Sequence, residues 1–184
     1  AKVVHSRAVE VGKKFNMLKS RNFRHSICNI HKHKILVVGS FIMGLDVDQP
    51  GIGKQIAAAG KAYGVDILNV LFLTPLPGTH LWNDLCGQDR ILLADFPEDW
   101  KYYTLGFPTA KYSNFSFREI LHEMKICDRS FYSIKQILTR AFKSFINRHQ
   151  PLVALVSNLS FRRNAKMAQK GYLKLLRSRT ALAT

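Results

Sequence analysis

Apolar residues change their spacing several times along the chain. Within residues 22–33, Phe23, Ile27 and Ile30 recur at intervals of four and three, which predicts a short helix. Residues 35–43 then form a continuous β-branched and aromatic run, the pattern of a strand buried on both faces as in a parallel sheet. Asp48 is a candidate N-cap and Pro50 suits a first helical turn, so residues 51–63 are expected to be helical and to close near Gly64. A second buried run covers residues 65–73. Strand, helix and strand in this order make a βαβ unit with parallel strands and a right-handed crossover.

Beyond the second run the order loosens and then returns. Thr74 to Thr79 (TPLPGT) reads as a loop, Leu81 to Leu85 as a short helix, and residues 86–114 as irregular, with five aromatic residues between Phe96 and Phe107. From Phe117 the apolar positions Ile120, Leu121, Met124, Phe131, Ile134, Ile137, Leu138, Ala141, Phe142 and Phe145 keep helical spacing over about eight turns. Pro151 interrupts that pattern, and a last amphipathic helix is expected from Leu152 to about Arg177. Two regions result: an α/β segment over residues 1–114 and a basic helical region over 115–184.

The chain has 184 residues, 47% of them apolar, enough for a buried core. Its longest apolar stretch, residues 35–45, is too short for a bilayer-spanning helix of about 20 residues. No basic-then-apolar leader pattern opens the chain, and its first residue is Ala1 rather than Met, which predicts a piece of a longer frame. The net charge is +16, distributed as +8 over residues 1–34, −4 over 35–110 and +12 over 111–184. Basic flanks around an acidic middle raise two possibilities: an anionic partner, or solvated faces of amphipathic helices. Cys28, Cys86 and Cys127 belong to no C-x-x-C or C-x-x-x-C run and are read as free thiols of a reducing compartment, the cytoplasm.

Most candidate chemistry does not survive its spacing rules. Gly51-Ile-Gly53-Lys54 has Asp48 where a phosphate loop needs glycine and Gln55 where it needs Ser or Thr. Its third dinucleotide-type glycine would fall at Ile56, so the glycines are read as letting the helix start approach the sheet. His31 and His33 are two apart and do not share a helix face, and are read as an exposed helix end. Asp46 and Asp48 follow a strand at its carboxyl end, but no general base is assigned.

The two strand ends are more informative. The first reads Gly39-Ser-Phe41-Ile42-Met43-Gly44, and the second Leu73-Thr74-Pro75-Leu76-Pro77-Gly78-Thr79. Gly39 and Gly44 would let a flat ligand approach the backbone. Pro75 and Pro77 stiffen a turn and remove two N–H donors, leaving nearby carbonyls to accept from a ligand. On residues alone two readings stand: half the wall of a pocket for an aromatic heterocycle, or two tight βα turns without a ligand.

These strand ends resemble the fifth and sixth strands of the radical S-adenosylmethionine barrel, most closely its cobalamin-binding class. The likeness rests on Gly39, Phe41, Ile42 and Gly44 in "G-x-F-I-x-G", and on Leu73, Thr74, Pro75, Leu76, Pro77, Gly78, Thr79 and Leu81 in "L-T-P-L-P-G-T-x-L". Val11 to Asn16, Phe131-Tyr132-Ser133 and Asn158 to Asn164 add to it. The resemblance implies a partial (β/α) barrel followed by a helical carboxyl-terminal region. It implies S-adenosylmethionine as cofactor, with Gly39 to Gly44 packed on the adenosine and Thr74, Pro75, Leu76 and Gly78 closing its adenine side. In the family, an iron–sulfur (4Fe–4S) cluster cleaves S-adenosylmethionine to a radical, and methylcobalamin often supplies a methyl group.

The cluster loop C-x-x-x-C-x-x-C and the cobalamin loop D-x-H-x-x-G do not occur in this chain. The resemblance therefore places it at the carboxyl-terminal part of such an enzyme. It is expected to be inactive alone, to expose the inner face of an open barrel, and to depend on a chain carrying the missing half. The cluster and cobalamin are expected only in the full-length parent, along with its small-molecule substrate. Two rivals remain. One is a basic module binding nucleic acid through Arg162, Arg163, Lys166, Lys170 and Lys174; the other is peripheral attachment of the tail helix to an anionic membrane surface.

Overall fold

A computed structural model describes residues 23–146 and 150–178 of the chain. The chain is a mixed α/β protein, mostly helical, around a small parallel sheet. Helix α1 (Phe23–Lys32) leads to strand β1 (Val38–Met43), helix α2 (Ile52–Tyr63) and strand β2 (Ile67–Phe72). Helix α3 (His80–Gly87) follows, then a short 3-10 turn (Trp100–Tyr102). Helices α4 (Phe117–Phe131), α5 (Ile134–Ile146) and α6 (Pro151–Ser178) complete the fold.

β1 and β2 pair in parallel, from Val38 opposite Ile67 to Met43 opposite Phe72. Alternation along the strands therefore puts Gly39, Phe41, Met43, Leu68, Val70 and Phe72 on one face. That face carries the core: Met43, Leu68 and Phe72 bury against Ile52, Ile56 and Ala57 of α2 and Ile120, Met124 and Phe131 of α4. Each fully buried Ile or Phe in this cluster contributes about 1.5–3 kcal/mol. The opposite face holds Val38, Ser40 and Ile42 beside Ile67, Asn69 and Leu71. It is open at β1, where Val38 is 52% and Ile42 37% exposed.

Two strands do not close into a barrel, and no other strand joins them among the described residues. The outer edge of β2 is occupied by the chain itself. The Tyr132 hydroxyl donates to the Leu68 carbonyl (2.6 Å) and accepts from the Leu68 amide (2.9 Å), and the Phe72 amide donates to the Leu105 carbonyl (2.9 Å).

The start of α2 differs from expectation in two respects. Asp48 does not cap α2: its Oδ2 accepts from the amides of Gly44 (2.9 Å) and Leu45 (3.1 Å), holding the turn that leaves β1. The cap of α2 comes from α4, where the Glu123 carboxylate accepts from Gly51 N (2.8 Å) and Gly53 N (2.7 Å). A side chain at Gly53 would place its Cβ 2.1 Å from the Glu123 carbonyl oxygen, so that glycine serves a helix–helix crossing rather than a helix–sheet one.

The long pattern from Phe117 is two helices, not one. α4 ends at Phe131, the chain turns at Tyr132 and Ser133, and α5 starts at Ile134. Tyr132 closes α4 with its amide on the Asp128 carbonyl (2.7 Å), while its side chain reaches to β2. Pro151 opens α6 at the first helical position, where its missing N–H costs nothing. Among the described residues no helix is long and apolar enough to cross a membrane.

Candidate functional site

Parallel pairing brings the two strand ends together at one end of the sheet. The Leu73 amide donates to the Met43 carbonyl (2.8 Å), so the pairing continues into the first residue of the second corner. Around these corners polar side chains close a dense network. Asp46 accepts from Arg90 Nη2 (2.8 Å) and from the Ser113 hydroxyl, and these two bonds hold its carboxyl below the usual carboxylate range. The Asn114 amide donates to the carbonyls of Asp46 (2.7 Å) and Asp48 (2.8 Å).

Each resemblance-derived residue has a defined place. Gly39 lies against Val65, whose Cγ1 would be 2.7 Å from an added Cβ. Phe41 stacks on Tyr63 of α2, with ring centroids 6.5 Å apart. Gly44 adopts φ +98°, and the Tyr112 ring stands 2.5 Å from its would-be Cβ. The approaches expected for a flat ligand at Gly39 and Gly44 are therefore taken by Val65 and Tyr112. The Tyr112 hydroxyl donates to the Leu73 carbonyl (3.1 Å), and its pKa is driven up by burial.

The second corner satisfies its own carbonyls too. Thr74 is buried, and its hydroxyl donates to the Phe72 carbonyl (3.1 Å). Pro75 is buried, whereas Leu76 is 40% exposed. The Leu76 carbonyl accepts from the Thr79 amide (3.1 Å) and hydroxyl (2.7 Å), and Thr79 caps α3 by accepting from Trp82 N (3.2 Å). Gly78 supplies the left-handed residue of this turn at φ +83°. Of the carbonyls near the two prolines, those of Phe72, Leu73 and Leu76 thus already accept from the chain.

What stays open is the β1 half of the other side of the sheet; at β2 Ile67 is buried there, and Asn69 and Leu71 are half-buried. Of the resemblance-derived residues on the strands, Ile42 alone faces it; Gly39 and Phe41 face the helices. Ser40 and Asn69, opposite each other in register, are the polar groups on that side. Neither was singled out from the sequence, although strand alternation places both there.

The remaining candidates divide. His31 is not a bare helix end: its Nε2 lies 2.8 Å from Asp66 Oδ2, which also accepts from the Val37 amide (2.8 Å). The amides of Gly51 and Gly53, where a phosphate would sit in a nucleotide loop, serve Glu123. Cys28, Cys86 and Cys127 stand on α1, α3 and α4. Cys127 is buried, and desolvation pushes its thiol up to about 12, so it is a poor thiolate ligand. Among the described residues no cluster of His, Cys, Asp or Glu fits a metal ion, so no step through an iron–sulfur cluster is derived for this chain. The stretch Val11 to Asn16 lies outside the described residues.

A separate cleft of about 390 Å³ lies where the α4–α5 turn meets α6, lined by Asp128, Arg129, Tyr132, Arg162 and Lys166. Arg162 Nη1 donates to the Tyr132 carbonyl (2.9 Å) there. Burial pushes the Asp128 carboxyl up to about 7. Beside the cleft Arg140 binds Asn158 Oδ1 through Nη2 (2.6 Å) and the Phe131 carbonyl through Nη1 (3.0 Å). Asn158 in turn donates to the carbonyls of Asp66 (3.1 Å) and Ala154 (2.7 Å). The Phe-Tyr-Ser and Asn158 motifs thus join α4, α5 and α6 to the start of β2.

In comparison with known proteins, no family model matches the chain, and no curated protein or solved structure is significantly similar to it.

Proposed function

We propose that the chain is the carboxyl-terminal portion of a radical S-adenosylmethionine enzyme of the cobalamin class, carrying the last two strands of a partial barrel and its helical cover. The observation that carries this is the asymmetry of the sheet. β2 is sealed on its outer edge by Tyr132 and Leu105, while β1 shows apolar side chains on the face turned away from the helices. A barrel wall ending at its final strand has this form: further strands join beyond β1, and the face that is exposed at β1 becomes the interior.

In such a parent, Ile42, Ser40 and Asn69 face the cofactor chamber, and Thr74, Pro75, Leu76 and Gly78 form its rim. Gly39, Phe41 and Gly44 act by packing on Val65, Tyr63 and Tyr112, which fixes the strand end. S-adenosylmethionine would supply the radical source, and the cluster and cobalamin would be held by residues of the parent outside this chain. Substrate chemistry belongs to the parent as well.

Reading the coding sequence upstream of Ala1 tests the proposal. A continuous frame encoding C-x-x-x-C-x-x-C supports it; a frame without that loop overturns it. A second test uses the chain itself with iron, sulfide and reductant. It should develop no cluster absorbance, and a stoichiometric cluster would also overturn the assignment.

A further inference from the structure

Residues 133–184 contain eleven Lys and Arg and no Asp or Glu. Within that stretch α5 and α6 form a helical hairpin. The Arg140–Asn158 contact, nearly equidistant in sequence from the facing helix ends Ile146 and Pro151, sets the two helices antiparallel. The inner sides of the hairpin hold Ile137, Ser144, Ala154 and Asn158, all buried.

Its outer sides near the turn are apolar and exposed. Leu138 (57%), Phe142 (64%), Phe145 (68%) and Ile146 (61%) recur at intervals of four, three and one on α5. Leu152 (75%) and Val156 (64%) stand one turn apart on α6. Lys135 and Lys143 flank the α5 stripe, and Arg163, Lys166 and Lys170 continue the exposed face of α6 away from the turn. A soluble hairpin gains nothing from large aliphatic and phenyl groups in water, and such a contiguous patch marks a contact surface.

We propose that the turn end of the α5–α6 hairpin docks on the surface of an anionic lipid bilayer. Charge complementarity chooses this occupant. Apolar side chains enter the headgroup–acyl boundary while Lys143 beside them, and Lys135 and Arg163 farther along the same helices, meet lipid phosphates. A second copy of the chain would bring two surfaces without an acidic residue face to face, and like charge opposes that. A nucleic acid would use the cations and leave the apolar tip in water. The tip lies on α5 and the first turns of α6, not on the basic end of the tail helix. It requires nothing of the adenosine site, so the two proposals fail separately.

Flotation of the full chain with vesicles tests it, using phosphatidylcholine with about one third phosphatidylglycerol against pure phosphatidylcholine. The chain should float with the anionic vesicles only, and high salt should weaken binding about tenfold. Phe145→Glu together with Leu152→Glu should abolish flotation while leaving the circular dichroism and melting temperature unchanged, because both positions are exposed. Lys135→Gln and Lys143→Gln should each weaken binding about fivefold. Four results overturn the proposal: no flotation, flotation indifferent to the tip variants, a tip-dependent dimer that excludes vesicles, or equal tip-dependent binding to an oligonucleotide.

Discussion

The strand corners and the α5–α6 hairpin solve opposite problems. At the corners, carboxylates and hydroxyls are drawn inward and each finds backbone partners: Asp48 at the β1 turn, Glu123 at the start of α2, Tyr132 along β2 and Tyr112 at Leu73. In the hairpin, apolar groups that could have been buried face outward, and no acidic residue accompanies the lysines and arginines. The first region spends its polar chemistry on holding itself together. The second leaves surface for something else. Stability is therefore concentrated in the α2–β2–α4 core, and substitutions should reveal a steep gradient from one region to the other.

The largest effect is expected where helices cross most closely. Gly53→Ala drives a methyl group to 2.1 Å from the Glu123 carbonyl oxygen, a backbone atom of α4 that cannot rotate away. Helices α2 and α4 must separate, at a cost of about 3 kcal/mol or more. Glu123→Ala leaves the same crossing but strips the amides of Gly51 and Gly53 of their acceptor. It should cost about 3 kcal/mol, since two bonds to a charged acceptor are lost in a buried place. Urea unfolding checks both: the midpoint should fall with the slope unchanged. Full stability in either variant would show that the corner region is not the stable core.

Tyr132→Phe comes next. It deletes one oxygen that serves both the amide and the carbonyl of Leu68, and leaves two buried backbone groups unpaired. A loss of about 2 kcal/mol is expected, with faster hydrogen exchange at Leu68. A slow Leu68 amide in the variant would mean that another strand or side chain takes over this edge.

Between the two regions lies Asp128, whose carboxyl is pushed up to about 7 by its own burial. A carboxyl raised in the folded chain binds its proton more tightly there than when unfolded. Its cost is absent below the unfolded value near 3.8, grows as pH rises from there to about 7, and is complete above. Position near the carboxyl end of α4 adds to the penalty through the helix dipole. Asp128→Asn should therefore stabilise the chain by about 1–2 kcal/mol at pH 8 and leave it unchanged at pH 4, as read from melting temperature against pH. A variant equally stabilised at both pH values would assign the effect to packing instead of charge.

Much of the element order was legible in the sequence. The β-branched runs at residues 35–43 and 65–73 marked the two strands, and Gly64 ends α2 where the pattern stops; the expected burial on both faces fails at β1, whose Val38 and Ile42 stand exposed because no further layer covers that face of the strand. Contacts between distant residues were not legible. Nothing near Gly51 announces that its cap comes from Glu123, seventy-two positions on. The turn at Tyr132 keeps helical spacing on both sides, so periodicity runs through it unbroken. At the strand ends, glycine and proline reveal tight corners but not who fills them; Val65 and Tyr112 do so here. Alternation did contain one unused signal, since a two-residue repeat puts Ser40 on the face opposite Gly39 and Phe41, and Asn69 on the face opposite Leu68 and Val70.

The smallest expected effect sharpens the comparison most. Phe145→Ser and Leu152→Ser remove large side chains that are 68% and 75% exposed. If those groups contribute nothing to the core, each variant should unfold within about 0.5 kcal/mol of the parent. Removing exposed apolar area should also raise solubility, because aggregation through such patches falls with their size. Chemical denaturation and static light scattering measure the two separately. A serine variant that loses as much stability as Tyr132→Phe would place the hairpin tip inside the folding unit. The contrast between a self-satisfied corner and an outward-facing tail would then disappear, and the exposed stripe would need an intramolecular explanation.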